Sequence, residues 1–323
     1  MEEEGLLLAS MNVNGVRAFA RVSGGLSGAF GALGAPAVLA LQETRLLPED
    51  AASARALAAA LPSHELFHAP SALRRGYSGV AVLARRGLVR ACRDWFDEPD
   101  DLCSCPQVQH KKRLLFSLSF VCSQKCAVLK QEGRVLLLDM NPNLLLICVY
   151  VPNGGKEKDP TLPSKSEFLR RLSNTIARHR ALGKSVILLG DLNIVAHKRD
   201  IWYDAIDFEK KRAQGEPCMS ESVTTWLQTL LSETGGGMVD SFRFLHPGLL
   251  MRCFVFLVSF FRWADVIKFS WFDAKTFGRE TGKGWRLDYA LVSQDLKDLV
   301  LEGFLFFTVL FFFLMDFVFQ NKS

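Results

Sequence analysis

The sequence lacks several patterns that would assign it quickly to a protein class. Among its eight cysteines no two form a Cys-x-x-Cys pair, so the usual ligand spacing of a zinc finger is absent. The first four residues are Met-Glu-Glu-Glu, which is not the basic start of a secretory signal peptide. No glycine-rich phosphate-binding loop and no internal repeat is present. These absences predict free thiols in a reducing compartment.

The composition of the 323 residues is mildly basic and rather apolar. The net charge is +5 at pH 7, hydrophobic residues make up 49%, and the mean hydropathy is +0.13. A mild positive charge suits a nucleic-acid partner, but many proteins that bind no nucleic acid have it. Composition alone therefore leaves the function open.

Three stretches are apolar without the alternation of a strand or the polar face of a helix. They span residues 102–130, 249–269 and 303–323 and hold more than half of the 25 phenylalanines. Either they are translated intron sequence, from a splice variant or a gene-model error, or they are buried insertions. Within the last one, residues 303–319 are almost entirely apolar and reach the lower edge of the roughly 17–25 residues that span a bilayer, so a membrane tail anchor is an alternative for this segment.

The remaining chain predicts one domain over residues 1–302, interrupted by the first two apolar stretches and followed by the phenylalanine-rich tail. Its strands are short and often consecutive, and its helices are few, which favours two sheets packed face to face with helices outside. The strands are predicted at 6–13, 37–41, 76–84, 134–139, 144–151, 185–189 and 285–292. The helices are predicted at 49–61, 164–182 and 220–234.

Polar side chains stand where several of these strands end. They are carboxylates, carboxamides and one phenol, namely Asn12, Asn14, Glu43, Tyr150, Asn153, Asp191, Asn193 and Asp288. Magnesium prefers such hard oxygen ligands and keeps several waters. Taken singly, each residue also has a purely structural interpretation, because a strand tyrosine or tryptophan is usually core and a glutamate after a strand is often a helix-start charge.

Together the strand ends predict hydrolysis of a phosphodiester. Such a reaction needs a water placed in line, a base for it, and donors for the developing charge. Glu43 can hold a metal beside the phosphate, Asp191 can act as the base, and Asn193 can orient it. Tyr150 and Asn153 can donate to phosphate oxygens.

Six ordered motifs give these residues a family context. The chain resembles the exonuclease III family of apurinic/apyrimidinic endonucleases through Ser-Met-Asn-Val-Asn-Gly-Val-Arg (10–17), Leu-Gln-Glu-Thr (41–44), Arg-Gly-Tyr-Ser-Gly-Val (75–80), Val-Tyr-Val-Pro-Asn (149–153), Gly-Asp-Leu-Asn (190–193) and Gly-Trp-Arg-Leu-Asp-Tyr (284–289). Gln-Glu-Thr and Gly-Asp-x-Asn mark a wider superfamily, whereas the third and sixth motifs select the DNA-repair branch.

The resemblance implies a DNase I-like, four-layer α/β/β/α sandwich. It implies cleavage of DNA on the 5′ side of an abasic site, dependent on Mg²⁺ or alternatively Mn²⁺, and it allows 3′–5′ exonuclease and 3′-phosphodiesterase activities. The implied partners are double-stranded DNA with abasic or 3′-blocked lesions and other repair proteins. The implied location is the nucleus, with an organelle as the alternative.

The resemblance also implies roles for single residues. Those matching the catalytic set are Tyr150, Asp191, Asn193 and Asp288. Those matching the metal site are Glu43, Asn12, Asn14, Asp191 and Asn193. Those matching DNA-contacting positions are Arg74, Arg75, Asn153, Trp271, Trp285 and Arg286. Among them the tryptophans match aromatics around the pocket for the sugar that lacks a base, and the arginines match basic residues that are either backbone-contacting or structural.

One departure from the family stands out at the end of the chain. The family ends with Ser-Asp-His on its final strand, and its histidine pairs with the aspartate matched by Asp288; here no histidine follows His246. We therefore expect the final strand to be missing, a sheet edge to be exposed, and activity to be strongly impaired or absent, since one lost electrostatic contact costs ~10²–10³ in rate. The alternatives are a catalytically dead variant that binds DNA or a partner and, less favoured by the sixth motif, a phosphatase of inositol lipids.

Overall fold

The computed structural model describes most of the chain outside the apolar stretches. The described residues are 6–21, 24–96, 128–141, 143–154, 165–202, 205–247, 270–272, 283–308 and 312–319. Of the two predicted insertions, 102–127 and all of 249–269 lie outside this set. Whether these segments are buried insertions stays a prediction.

Fourteen strands run through the described residues. They are β1 (Leu6–Asn12), β2 (Val38–Gln42), β3 (His64–Ala69), β4 (Val80–Arg85), β5 (Ala91–Arg93), β6 (Val135–Asn141), β7 (Leu144–Tyr150), β8 (Ser185–Asp191), β9 (Met238–Asp240), β10 (Trp271–Phe272), β11 (Gly284–Trp285), β12 (Asp288–Ser293), β13 (Val300–Thr308) and β14 (Phe312–Phe319). The first sheet has the order β13-β14-β1-β2-β4-β3, and the second has the order β5-β6-β7-β8-β12-β9. A two-stranded ribbon joins β10 and β11.

Seven helices accompany the sheets in the part of the chain that the structure describes with named bounds. They are α1 (Val16–Phe19), α2 (Gly25–Ala32), α3 (Ala51–Ala59), α4 (Lys165–Ala181), α5 (Ala205–Ala213), α6 (Glu221–Leu231) and α7 (Ser241–Leu245). Short 3-10 helices lie at Lys198–Asp200 and Gln294–Leu299. Among the described residues, none of the helices has the length and hydropathy needed to cross a bilayer.

The two sheets pack face to face because their strands alternate apolar side chains between two hydrophobic clusters. In β2, Val38 and Ala40 belong to the large cluster shared with the second sheet, whereas Leu39 and Leu41 belong to a smaller cluster with residues of α1, α2 and α3. Helix α4 buries Phe168 and further apolar residues three or four positions apart against the large cluster. The predicted four-layer α/β/β/α sandwich is confirmed.

Most predicted elements are present, with shifted ends. The predicted helix 164–182 is observed as Lys165–Ala181 and is followed by Gly183 at φ 78°, a left-handed backbone that ends a helix. The predicted strand 76–84 begins only at Val80, because Gly76, Ser78 and Gly79 all have positive φ. The predicted strand 285–292 divides into β11 and β12.

The expectation of a missing final strand is corrected. Strand β14 lies antiparallel against β1, from Leu6 opposite Phe319 to Ser10 opposite Met315, and β13 pairs with β14 in turn. The phenylalanine-rich tail therefore forms a hairpin that covers the edge of β1, and β13 crosses the predicted domain boundary at residue 302. Phenylalanine favours strands, which is the physical reason why this segment can replace the missing one. The Ser-Asp-His motif itself remains absent from the sequence.

Candidate active site

Four of the predicted site residues meet at one edge shared by the two sheets. Asn12 ends β1 and Glu43 follows β2 in the first sheet, whereas Tyr150 ends β7 and Asp191 ends β8 in the second. The Tyr150 hydroxyl donates to Glu43 Oε1 at 2.7 Å, and Asn12 Nδ2 donates to Glu43 Oε1 at 3.0 Å and to Asp191 Oδ2 at 3.1 Å. Side chains up to 179 positions apart thus form one hydrogen-bonded network.

The backbone on the first-sheet side of this network is held in a rare conformation. Asn14, Glu43 and Arg45 have φ of 47°, 53° and 55°, in the left-handed region that non-glycine residues seldom adopt. Such strain persists where the surroundings fix it. The Arg45 guanidinium supplies part of that fixation by donating to Asn14 Oδ1 and, at 3.1 Å, to Glu43 Oε2. Sequence reasoning missed Arg45, although it directly follows the Gln-Glu-Thr motif.

Asp191 and Asn193 are fixed to each other and to their surroundings. Asn193 has φ 50°, its N–H donates to Asp191 Oδ1 at 2.8 Å, and its Nδ2 donates to the Val151 carbonyl at 2.9 Å. Lys165, buried at the start of α4, donates from Nζ to the Asn193 carbonyl at 2.6 Å. No motif marked Lys165, which lies outside all six.

Electrostatics at this pair favour proton uptake by the carboxylate. Burial raises the pKa of Asp191 to about 7; the Glu43 charge adds to the rise, and hydrogen bonds from Asn193 and Asn12 oppose it. Burial lowers the pKa of Lys165 to about 8, although the Asp191 charge favours the ammonium form. A base at the end of β8 and a cation at the start of α4, both with pKa values near neutrality, therefore act on the same Asp191–Asn193 segment.

Asp288 begins β12 and lies opposite Asp191 in the antiparallel pair with β8. Its N–H donates to Ser270 Oγ at 2.9 Å. Burial and the neighbouring Asp191 charge raise the pKa of Asp288 well above its usual range. Within the described residues, the buried Oδ1 of Asp288 has no hydrogen-bond partner. By the family resemblance, Asp288 matches the aspartate that pairs with the histidine of Ser-Asp-His, and that histidine is absent from this sequence.

Tyr150 is held by Arg134, a buried residue that sequence reasoning missed. Arg134 donates to the Tyr150 carbonyl at 3.0 Å, and its guanidinium carbon lies 4.7 Å from the centroid of the Tyr150 ring. It also donates to the Tyr77 hydroxyl at 2.7 Å and pairs with Glu132. The motif that contains Tyr150 could not indicate Arg134, because Arg134 lies before β6 and outside that motif.

The Tyr150 phenol is a proton donor at neutral pH. Burial, and after it the charges of Glu43 and Asp191, raise its pKa well above its usual value. Its hydroxyl already donates to Glu43 at 2.7 Å. A phosphate oxygen placed in this network would find the same donor.

The predicted DNA-contacting residues divide into two groups. Arg74, Arg75 and Asn153 are exposed, Trp285 is half-buried, and the backbone of Trp271 pairs with that of Trp285 in the ribbon. Arg286 is the exception, because it is fully buried and donates to the carboxylates of two aspartates, Asp200 and Asp240. Of the two roles expected for Arg286, a contact with the DNA backbone or a structural one, its buried position favours the structural role.

The donor set fits a hard divalent cation. Glu43, Asp191 and Asp288 contribute mutually repelling carboxylates, which the raised pKa values of the two aspartates report, and Asp288 Oδ1 is an unused buried acceptor. Carboxylate and carboxamide oxygens are the ligands that magnesium and manganese prefer. Among the described residues, no group of three or more His, Cys, Asp or Glu side chains is already arranged as a metal cage. Magnesium sites in proteins often use only one or two carboxylates plus substrate phosphate.

Comparison with curated proteins finds relatives over much of the chain. Exodeoxyribonuclease of Bacillus subtilis is 27% identical over 305 residues, covering 90% of this chain and 89% of that protein. Exodeoxyribonuclease III of Haemophilus influenzae is 26% identical over 171 residues, or 52% of this chain. DNA-(apurinic or apyrimidinic site) endonuclease 2 of Homo sapiens is 26% identical over 276 residues, or 80% of this chain. The chain spans 57% of the Haemophilus relative and 47% of the human one.

Solved structures share the fold. The AP endonuclease LMAP of Leishmania major matches with a TM-score of 0.72 and 21% identity, covering 99% of this chain and 89% of that one. The catalytic domain of Xenopus laevis APE2 matches with a TM-score of 0.70 and 21% identity, covering 98% and 94%. The endonuclease/exonuclease/phosphatase family matches residues 9–309. The resemblance to exonuclease III-type enzymes is thereby confirmed, and the chain belongs to the endonuclease/exonuclease/phosphatase family.

Proposed function

We propose that this chain is a DNA-repair phosphodiesterase that uses a divalent metal and cleaves on the 5′ side of abasic sites, leaving a 3′-hydroxyl. The observation that carries the proposal is the network of Asn12, Glu43, Tyr150 and Asp191, which joins the two sheets at one edge. The names of the relatives, two exodeoxyribonucleases and an abasic-site endonuclease, support DNA as the substrate. Processing of 3′-blocked ends, partnership with other repair proteins and a nuclear location belong to the same proposal.

Residues of this chain can accept the proton of the attacking water and can donate hydrogen bonds to the phosphate. Asp191, with a pKa of about 7, takes a proton from a water while Asn193 orients that carboxylate, and the water oxygen attacks phosphorus. The bond from phosphorus to the 3′-oxygen breaks, and the leaving 3′-oxygen takes a proton from solvent water to become the hydroxyl. Tyr150 donates a hydrogen bond to a phosphate oxygen as charge develops. Glu43 and Asn12 are the residues that would hold Mg²⁺ or Mn²⁺, which supplies charge stabilisation at the phosphate when bound.

We further propose that activity is impaired. The Asp288 carboxyl has an unpaired buried oxygen among the described residues, and no histidine follows His246 to meet it. Loss of one such electrostatic contact costs ~10²–10³ in rate. The same observation favours a second candidate function, in which the chain binds DNA without cutting it.

The decisive experiment is single-turnover nicking of a duplex that contains one stable abasic-site analogue, with Mg²⁺ present and enzyme in excess. We expect slow cleavage on the 5′ side, and no cleavage with Asp191→Asn, because the neutral amide cannot accept the proton. Removal of Mg²⁺ by a chelator is expected to abolish cleavage as well.

The matched control is Asp298→Asn, an identical change at an exposed position beyond the opposite end of β12. It should nick at the wild-type rate. If the unmodified chain binds the duplex but leaves it intact at every enzyme level, the binding-only function replaces the nuclease.

A further inference from the structure

An exposed tryptophan is joined through its backbone to the segment that leads into Asp288, and it has no role in the candidate active site so far. Trp202 is 36% exposed, and its backbone N–H donates to the Gly284 carbonyl at 3.1 Å. The preceding residue, Ile201, forms an antiparallel bridge with Trp285. The segment of Ile201 and Trp202 therefore lies alongside β11 as an extension of the ribbon. Asp288 follows Trp285 of β11 by three residues.

Hydrophobic packing and hydrogen bonds beneath this part of the surface hold its backbone in place. Ile201 and Leu287 belong to a small hydrophobic cluster, separate from the two larger ones, against which Trp285 packs. Arg286 ties the two segments together, because its N–H donates to the Asp200 carbonyl at 2.8 Å and its Nε donates to the Asp200 carboxylate at 3.0 Å. The backbone that carries the Trp202 ring is therefore held in place, so little backbone freedom is lost when a ligand stacks on the ring.

The two tryptophans each carry a lysine over the ring. Lys283 Nζ lies 4.5 Å from the centroid of Trp202, and Lys211 Nζ lies 5.6 Å from the centroid of Trp285. An aromatic plane with an adjacent mobile cation matches the two parts of a nucleotide, the flat base and the anionic phosphate. The flexible four-carbon lysine chain can leave the ring to meet a phosphate.

We propose that Trp202 and Lys283 form a stacking site for one unpaired nucleobase of the DNA strand held in the active site. The inference rests on the proposed function and adds a substrate class to it: DNA that is single-stranded, frayed or overhanging next to the cleaved linkage. The base stacks on the Trp202 indole, and Lys283 neutralises a neighbouring phosphate. Double-stranded DNA without unpaired bases does not use the site.

The test measures DNA affinity in the uncleaving Asp191→Asn chain, using fluorescently labelled DNA. A single strand and a fully paired duplex, both of the same sequence, are titrated against this chain and against chains that also carry Trp202→Leu or Trp202→Phe. We expect Trp202→Leu to weaken single-strand binding about tenfold, because the stacking face is lost, and to leave duplex binding unchanged. Trp202→Phe is expected to retain most of the affinity.

The control is Phe244→Leu. Phe244 is also exposed, to 37%, and also carries a lysine, with Lys297 Nζ 4.8 Å from its centroid, but Lys297 lies beyond the far end of β12 from Asp288. Phe244→Leu should leave both affinities unchanged. Lys283→Gln should lower the slope of log affinity against log salt for the single strand by about 0.7, the value for one lost phosphate contact.

A second measurement leaves Trp202 in place. A single strand carrying 5-iodouracil is photo-crosslinked to the Asp191→Asn chain, and the attachment is mapped by mass spectrometry; we expect it at Trp202. Binding with unchanged affinity in Trp202→Leu, or crosslinks that never reach Trp202, would overturn the stacking site while leaving the nuclease proposal intact. A chain that binds neither DNA would overturn the proposed function itself.

Discussion

At the scale of single residues, the candidate active site depends on buried cations that hold its polar groups from behind. Lys165 and Arg134 fix the carbonyls of Asn193 and Tyr150, respectively. Motif reading could identify Asn193 and Tyr150, because their chemistry and spacing are unusual. It could not identify their cations, because a lysine at a helix start or an arginine before a strand is typical of any surface until packing shows it to be buried.

The Lys165→Met variant tests the positioning role. It removes the hydrogen bond that stabilises the left-handed Asn193 backbone, and a bond from a charged donor contributes about 1.5–3 kcal/mol. We expect the single-turnover nicking rate to fall about 10- to 100-fold while DNA affinity stays unchanged. The Lys165 charge lowers the pKa of Asp191, so its loss should raise that pKa. In a plot of rate against pH, the rising limb should therefore move to higher pH.

Lys184→Met is the matched control for this prediction. Lys184 pairs with Asp139 at 2.6 Å, but it lies before the first residue of β8, whereas Asp191 is the last. Its loss should change neither the rate nor the pH profile. An unshifted profile in Lys165→Met would contradict the positioning role, even if the rate fell.

At the scale of elements, the junction between β11 and β12 shows where sequence reasoning reached its limit. The Gly-Trp-Arg-Leu-Asp-Tyr motif predicts one strand, and its arginine predicts either a DNA contact or a structural role. In the structure Arg286 binds two carboxylates, Asp200 and Asp240, in the interior. Both partners lie more than 40 positions away, so no local pattern could reveal the pairing. The same junction supports Trp285 and Asp288.

The Asp200→Asn variant tests the contribution of this cluster to stability. Burial alone would raise the pKa of Asp200, but the charges of Arg286 and Arg243 outweigh it and hold the pKa below its usual range. Removing one partner of such a buried group costs about 3–5 kcal/mol at neutral pH. We expect the free energy of unfolding in urea to fall by that amount.

The pH dependence of this difference has a definite sign. A carboxyl whose pKa is depressed by folding stabilises the protein above its unfolded pKa, about 3.9, and loses that contribution as pH falls through the folded value. The difference between wild type and Asp200→Asn should therefore be constant near neutrality and should shrink below about pH 4. A difference that grows on acidification would refute the assignment. The exposed Asp298→Asn serves as the reference.

At the scale of the whole molecule, the layer order could be predicted because apolar strands, few helices and six motifs all indicate the same sandwich. The role of the tail could not be predicted. Its phenylalanines have no strand alternation, and only the unpaired edge of β1 decides that Phe312–Phe319 forms a strand there. Strand β3 escaped prediction for a related reason, because its polar, partly exposed residues obscure the pattern of a strand.

Deletion of residues 303–323 tests the tail. It removes β14 and most of β13, so β1 keeps β2 on one side but loses its hydrogen-bonding neighbour on the other. We expect a lower midpoint of thermal unfolding and concentration-dependent aggregation by light scattering, since a bare apolar edge recruits other chains. Deletion of 320–323 alone, beyond β14, is the control. An unchanged midpoint after the longer deletion would show that the hairpin adds nothing to the sheet.

The division of the reactive groups between two sheets has a consequence for biosynthesis. Asn12 and Glu43 are made early, whereas Tyr150 and Asp191 are made more than a hundred residues later. Neither portion alone carries the complete network, so the network can form only after both sheets have been synthesised and have packed against each other.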